Sequence, residues 1–175
     1  TANTEIYTLS LHDALPIYTS EVNSQVQIEL AKEAAKAEGL EVVEIPVTNS
    51  SEIEPALSGK INEVDFLYLP SDNLIASSMP IISKVALDNN KAAIGVDEPM
   101  VKGGALACQG LDYYTLGYQT GLMAVEVIEG KEIKDLPVLR PTETALTINK
   151  EIAEKLGIDF PQDILKEAII VEGEN

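Results

Sequence analysis

Between Val22 and Val96 the chain alternates between two apolar rhythms, and this alternation restricts the fold more than any other feature. Val22, Val26, Leu30, Ala34 and Ala37 recur every three or four residues and give one apolar helical face. Ser24 with Gln27 three residues later fits a capping box, and Gly39 fits a helix stop. Residues 40–47, rich in Val and Ile, form a strand candidate. Ser51 with Glu54 gives a second capping-box pattern ahead of a short helix. Residues 65–69 read as a short buried strand ended by Pro70. A helix follows from about Asn73, kinked or split by Pro80, and residues 92–96 are another apolar strand. Helical crossovers of this length join parallel strands, so the expected class is α/β, with a doubly wound parallel sheet and helices on both faces. A further strand ought to precede the first helix.

The second half departs from that rhythm. A short strand of small residues spans 103–110, and a helix covers 113–129 with Leu116, Thr120, Met123, Ala124 and Val127 on one face. Residues 131–141 read as a linker and 145–148 as a strand. Asn149 caps a helix that Gly157 ends, and a short helix at 162–168 precedes the apolar stretch 169–171. Residues 172–175 are the one candidate for a disordered tail.

Residues 1–17, TANTEIYTLSLHDALPI, look foreign. They resemble the translation of a common short-read sequencing adapter, most specifically from Glu5 to Ile17. Asn3 is the one departure. A signal peptide is the other reading, but the stretch lacks a basic start, and His12 and Asp13 break its apolar run. The expectation is therefore that 1–17 is an assembly artefact that has replaced the missing strand and that the genuine upstream sequence is absent. Removing Glu5 and Asp13 takes the formal charge from −17 to −15.

That acidity argues against nucleic acid and against anionic lipid, which both need clustered Lys and Arg. Cys108 is the one cysteine, set in an apolar run, and reads as a small core residue rather than a nucleophile. His12 is the one histidine and lies in the foreign stretch. With no G-x-S-x-G elbow either, there is almost no material for a metal site or a histidine-based triad, and no cofactor or enzymatic activity is expected.

Ligands of open α/β sheets sit beyond the carboxyl ends of the strands, at the switch in strand order. Three polar loops are expected there. They carry Ser20, Glu21, Asn23 and Ser24; then Ser71, Asp72 and Asn73; then Asp97 and Glu98. Carboxylates suit an ammonium group, while hydroxyls, amides and helix N-termini suit a carboxylate, so the set fits a zwitterionic amino acid. A plainer reading stands beside each: Asn23, Ser24, Asp72 and Asn73 as helix caps, Asp97 and Glu98 as solvated loop carboxylates. Residues 48–51 lie after an outer strand and read as capping.

Several motifs carry a resemblance: SEVNS at 20–24, PSDN at 70–73, GGALA at 103–107, GLDYYTLGYQTG at 110–121 and LTINKEIAEKLGI at 146–158. Together they are similar to the ABC-transporter substrate-binding family whose better-known members bind tryptophan or tyrosine. The resemblance implies a type I periplasmic-binding fold, in which two α/β lobes close on the ligand and the chain crosses between them three times. It implies that 18–100 is the second lobe, 101–135 a return segment of the first, and 136–175 a rejoining of the second. It also implies an extracytoplasmic parent lipoprotein that works with a membrane permease. Where the family commonly carries Gly-Glu, this chain has Asp97-Glu98. Tyr113 and Tyr114 fall near a crossover and read as hinge packing ahead of ligand stacking. A ligand-sensing domain of a transcription regulator could share this fold and is the alternative.

Overall fold

The computed structural model describes residues 13–139 and 144–171. Most of the foreign-looking stretch (1–12), the Pro141 end of the linker and the tail at 172–175 lie outside the described residues. Among the described residues the sheet has eight strands: β1 (Asp13–Tyr18), β2 (Glu41–Val42), β3 (Ile45–Pro46), β4 (Phe66–Tyr68), β5 (Ala92–Gly95), β6 (Ala107–Leu111), β7 (Thr144–Asn149) and β8 (Ile169–Val171). Their order is β2-β1-β4-β5-β6-β7-β8, with β3 also on β1. Every pairing is parallel except β6 with β7, as the crossover lengths require for the first half. The helices are α1 (Val22–Glu38), α2 (Ser50–Lys60), α3 (Asn73–Ser77), α4 (Met79–Asp88), α5 (Glu98–Lys102), α6 (Tyr113–Ile128), α7 (Lys150–Leu156) and α8 (Gln162–Glu167).

Alternation along the strands splits the interior into two layers. Leu15, Ile17, Leu67 and Leu69 share one core with Ile53 and Leu57 of α2 and Ile82 of α4. A smaller cluster joins Leu106, Ala107 and Ile148 of the sheet to Ile152 and Ala153 of α7. Pro80 lies in the first turn of α4, where a proline needs no N–H partner, and the expected single helix is divided into α3 and α4. Cys108 is buried. Asn149 accepts from Ile152 N at 3.1 Å and caps α7, which Gly157 ends at φ +67°.

Three expectations need correction. First, residues 13–17, read as foreign sequence in place of a strand, themselves form a strand ahead of the first helix: β1 lies between β2–β3 and β4. A proline cannot donate to a central ladder and an aspartate there needs a partner, but the peptide directions remove the conflict. Alternate peptide groups of a parallel strand point to opposite neighbours. The Ala14 and Tyr18 carbonyls accept from Val43 and Val47, and the Asp13 carbonyl accepts from Asp65. Pro16 belongs to the set facing 40–47, so its missing N–H removes one rung on that side alone. The expected single strand 40–47 is broken into β2 and β3 at that level, while the register with β4 runs unbroken from Ala14 to Pro16. Asp13 sits half-buried at the start of the strand.

Second, α1 does not bury Val22, Val26 and Leu30, which are 75%, 56% and 60% exposed. It buries Ser24, Ile28 and Ala35, a face turned away from the apolar one. The cause is at its first turn, where the Ser24 hydroxyl donates to the buried Asp72 carboxylate at 2.9 Å and fixes the helix rotation. Third, the two capping boxes differ in detail. Ser24 lies inside α1 rather than at its N-cap. At α2 the cap is Asn49, which accepts from Ser51 N, and Glu52 accepts from Thr48 N.

Candidate functional site

The switch in strand order falls at β1 and β4, whose chains run outward to β2 and to β5 respectively. The loops that leave their carboxyl ends meet through one side chain. Asp72, 3% exposed, accepts at Oδ2 from Thr19 N (2.8 Å), Thr19 Oγ1 (2.6 Å) and Ser24 Oγ (2.9 Å). Its Oδ1 accepts from Leu74 N (3.0 Å) and Ile75 N (3.2 Å), the first turn of α3. Burial pushes this carboxyl's pKa up, but the hydrogen bonds from Thr19, Ile75 and Ser24 outweigh it and hold the group below its ordinary value. Asp72 is therefore an ionised clamp between two loops.

Smaller contacts reinforce the clamp. Asn23 Nδ2 donates to the Ser71 carbonyl at 2.5 Å, and Ser71 N donates to Gln27 Oε1 at 2.7 Å. Asn73 Nδ2 donates to Glu21 Oε2 at 3.1 Å. Five of the eight sequence-derived site residues are thus joined by hydrogen bonds at one place: Glu21, Asn23 and Ser24 at the start of α1, Asp72 and Asn73 at the start of α3, with Ser20 next to them in the chain. Ser24 and Asp72 are buried within the clamp, while Ser20, Asn23 and Asn73 are exposed at the edge.

Asp97 and Glu98 stand one strand further on, at the end of β5. Asp97 caps α5 by accepting from Met100 N at 3.0 Å, and Glu98 pairs with Lys102 at 2.6 Å. Asp97 also lines a cavity of about 320 Å³ with Tyr68, Ser71, Gln109, Tyr113 and Thr144. Gln109 Nε2 donates to Thr144 Oγ1 at 2.7 Å across the β6–β7 pair. Gly110 lines the cavity too, and a Cβ there would stand 3.0 Å from the Val96 carbonyl, so a glycine lets β6 pass close to the Asp97 turn. Tyr68, Gln27 and Gln109 escape a motif-based reading because each sits inside a regular element. Strand alternation puts Tyr68 on the α1 face, and only the tertiary fold carries it to the cavity. Tyr113 lies at the cavity wall, whereas Tyr114 is 83% exposed.

Among the described residues no group of His, Cys, Asp and Glu could hold a metal ion, and no helix is long and apolar enough to cross a membrane. A mostly parallel sheet whose polar loops converge at its switch point is the arrangement of an α/β lobe with a ligand site at its strand ends. Residues 14–172 match the family described as ABC transporter substrate binding protein, and the chain belongs to that family. It is 47% identical over 140 residues to a tyrosine-binding protein of Clostridioides difficile, covering 80% of this chain and 41% of that relative. A ligand-free, open substrate-binding protein with adhesive properties from Clostridium difficile superposes with a TM-score of 0.80 at 39% identity. A Streptococcus pneumonia ABC domain in complex with L-Trp superposes at 0.82 with 34% identity. Both cover 94% of this chain and 56% of the compared structure. The chain spans about half the length of the relatives it matches.

Proposed function

We propose that this chain supplies one wall of an extracytoplasmic receptor that captures an amino acid, aromatic ones included, for an ABC importer. The observation that carries the reading is the Asp72 clamp, which draws two polar loops together at the switch point beside the cavity under Asp97. Relatives described as binding tyrosine or holding L-Trp support the ligand class. In this reading Asp72 and Ser24 position the loops. The ligand-facing groups are Ser20, Glu21, Asn23, Asn73, Asp97 and Glu98. Asp97 and Glu98 meet the ammonium, and the hydroxyl and amide donors of the two loops meet the carboxylate. Residues 18–100 and 136–175 form this wall. Of the segment 101–135, expected as a whole on the facing lobe, residues 101–111 stay with this wall, because β6 lies in its sheet between β5 and β7; α6 belongs with a facing lobe, and none of its residues is buried here. The partner is a membrane permease that receives the closed receptor, and no chemistry is done on the ligand.

Calorimetric titration of the complete two-lobed receptor with the twenty amino acids tests this. Saturable binding of one or more is expected, weakened more than tenfold by Asp97→Ala or by Glu98→Ala, about 1.4 kcal/mol or more. Unchanged affinity in both variants would remove the ligand assignment. The present chain alone should bind none of them at micromolar levels, since one wall leaves the ligand's charges in water.

A further inference from the structure

Gln109 is the one residue of β6 with a side-chain amide, and it is exposed where its neighbours Cys108 and Gly110 are buried. Its Nε2 donates to Thr144 Oγ1 at 2.7 Å, which anchors the amide to β7. Among the described residues nothing donates to Gln109 Oε1. Thr144 Oγ1 accepts from Gln109 and keeps its own hydrogen to donate. The pair therefore offers one acceptor and one donor side by side. Both residues line the cavity of about 320 Å³ beside Asp97, a volume at the lower end of the range of about 300–1,000 Å³ for small-molecule sites.

We infer that Gln109 and Thr144 set the specificity of this site by reading a hydroxyl on the ligand's side chain, an inference that rests on the capture function proposed above. A hydroxyl donates one hydrogen and accepts another, which matches Gln109 Oε1 and the Thr144 O–H. An indole N–H meets only the acceptor, and a phenyl ring meets neither. The sheet sets the length of the ligand. Asp97 follows β5 and Thr144 begins β7, with β6 between them, so their backbones stand two strand spacings apart, roughly 10 Å. One ring with an ammonium at one end and a hydroxyl at the other fills that span, whereas a serine-sized side chain does not. Tyr68, Val96, Leu111 and Tyr113 line the same cavity and suit an apolar body. The ligand class is thus an amino acid with a hydroxyl on an aromatic ring.

Calorimetric titration of the complete two-lobed receptor with L-tyrosine and L-phenylalanine tests the pair. L-tyrosine should bind at least tenfold tighter, because its analogue leaves the polar pair unmatched. Gln109→Leu and Thr144→Val should each weaken L-tyrosine severalfold and leave L-phenylalanine within about twofold, since only the hydroxyl contact is lost. A receptor that binds L-phenylalanine, or any amino acid without a ring hydroxyl, as tightly as L-tyrosine would overturn the role of the pair and leave amino-acid capture standing. So would variants that lose both ligands in equal proportion, the mark of a merely structural tie between β6 and β7. The parent's own preference decides the matter where a variant does not fold. Binding of none of the twenty amino acids would remove the capture function and the pair's role with it.

Discussion

The lobe around β1, β4 and β5 and the helix α6 have similar sequence rhythms and opposite fates. In the lobe, apolar residues at strand and helix spacing are fully buried, among them Leu15, Leu67, Ile53 and Ile82. In α6, sixteen residues with repeating Leu, Met and Val bury none, and Tyr118, Leu122 and Val125 are 62%, 51% and 49% exposed. Periodicity thus specifies that a helix forms and which stripe is apolar, but not whether anything covers the stripe. The cap chemistry makes the same contrast. Asp112 caps α6 through Tyr114 N and Thr115 N at the surface, whereas Asp72 caps α3 and also reaches across to another loop in the interior.

The largest expected effect comes from breaking the interior cap. Asp72→Ala orphans up to five donors, most of them buried, and should cost about 3–5 kcal/mol in urea unfolding. Asp112→Ala, by contrast, should shift the midpoint only slightly. Equal losses would erase the distinction between the regions.

Within α1 the comparison sharpens to two residues. Ile28→Ala should cost about 2–4 kcal/mol, whereas Leu30→Ala, two positions on, should cost under about 0.5 kcal/mol. The reverse order would mean that the helix rotates to bury the stripe of Val22, Val26 and Leu30 after all.

A pH series tests the interior aspartate. The folded pKa of Asp72 lies below its unfolded value of about 3.9, so its contribution is complete above that value and drains as pH falls through the folded pKa. Asp72→Asn should therefore flatten the fall of stability below about pH 4. A slope identical to the parent's would show that Asp72 is not the linked group. The smallest effect belongs to the surface of α6, where Leu122→Ser should change stability by less than about 0.5 kcal/mol.

The residues that were legible in the sequence are those whose role is local. Gly157, Pro80, the Thr48–Asn49 turn and the cap that Asn149 makes on Ile152 N act within a few positions of themselves, and the helix–strand alternation fixes the parallel topology. The residues that were not legible act at a distance. The rotation of α1 depends on Ser24 meeting Asp72, forty-eight positions away, and this contact outweighs a more apolar stripe. The place of β1 beside β4 followed from topology, but acceptance of Pro16 depended on which neighbour its peptide faces. Gathering Glu21, Asn23 and Asn73 at one edge was readable from the strand-end rule. Their mutual hydrogen bonds, and the inward turn of Asp72, were not.

Native-state hydrogen exchange on this chain tests most directly the claim that the clamped lobe is a self-sufficient unit and α6 is not. The amides of Thr19, Leu74 and Ile75, which are tied to Asp72, should exchange only by near-global unfolding. The amides in the middle of α6 should exchange by local opening, orders of magnitude faster. Equal protection in the two regions would contradict the account.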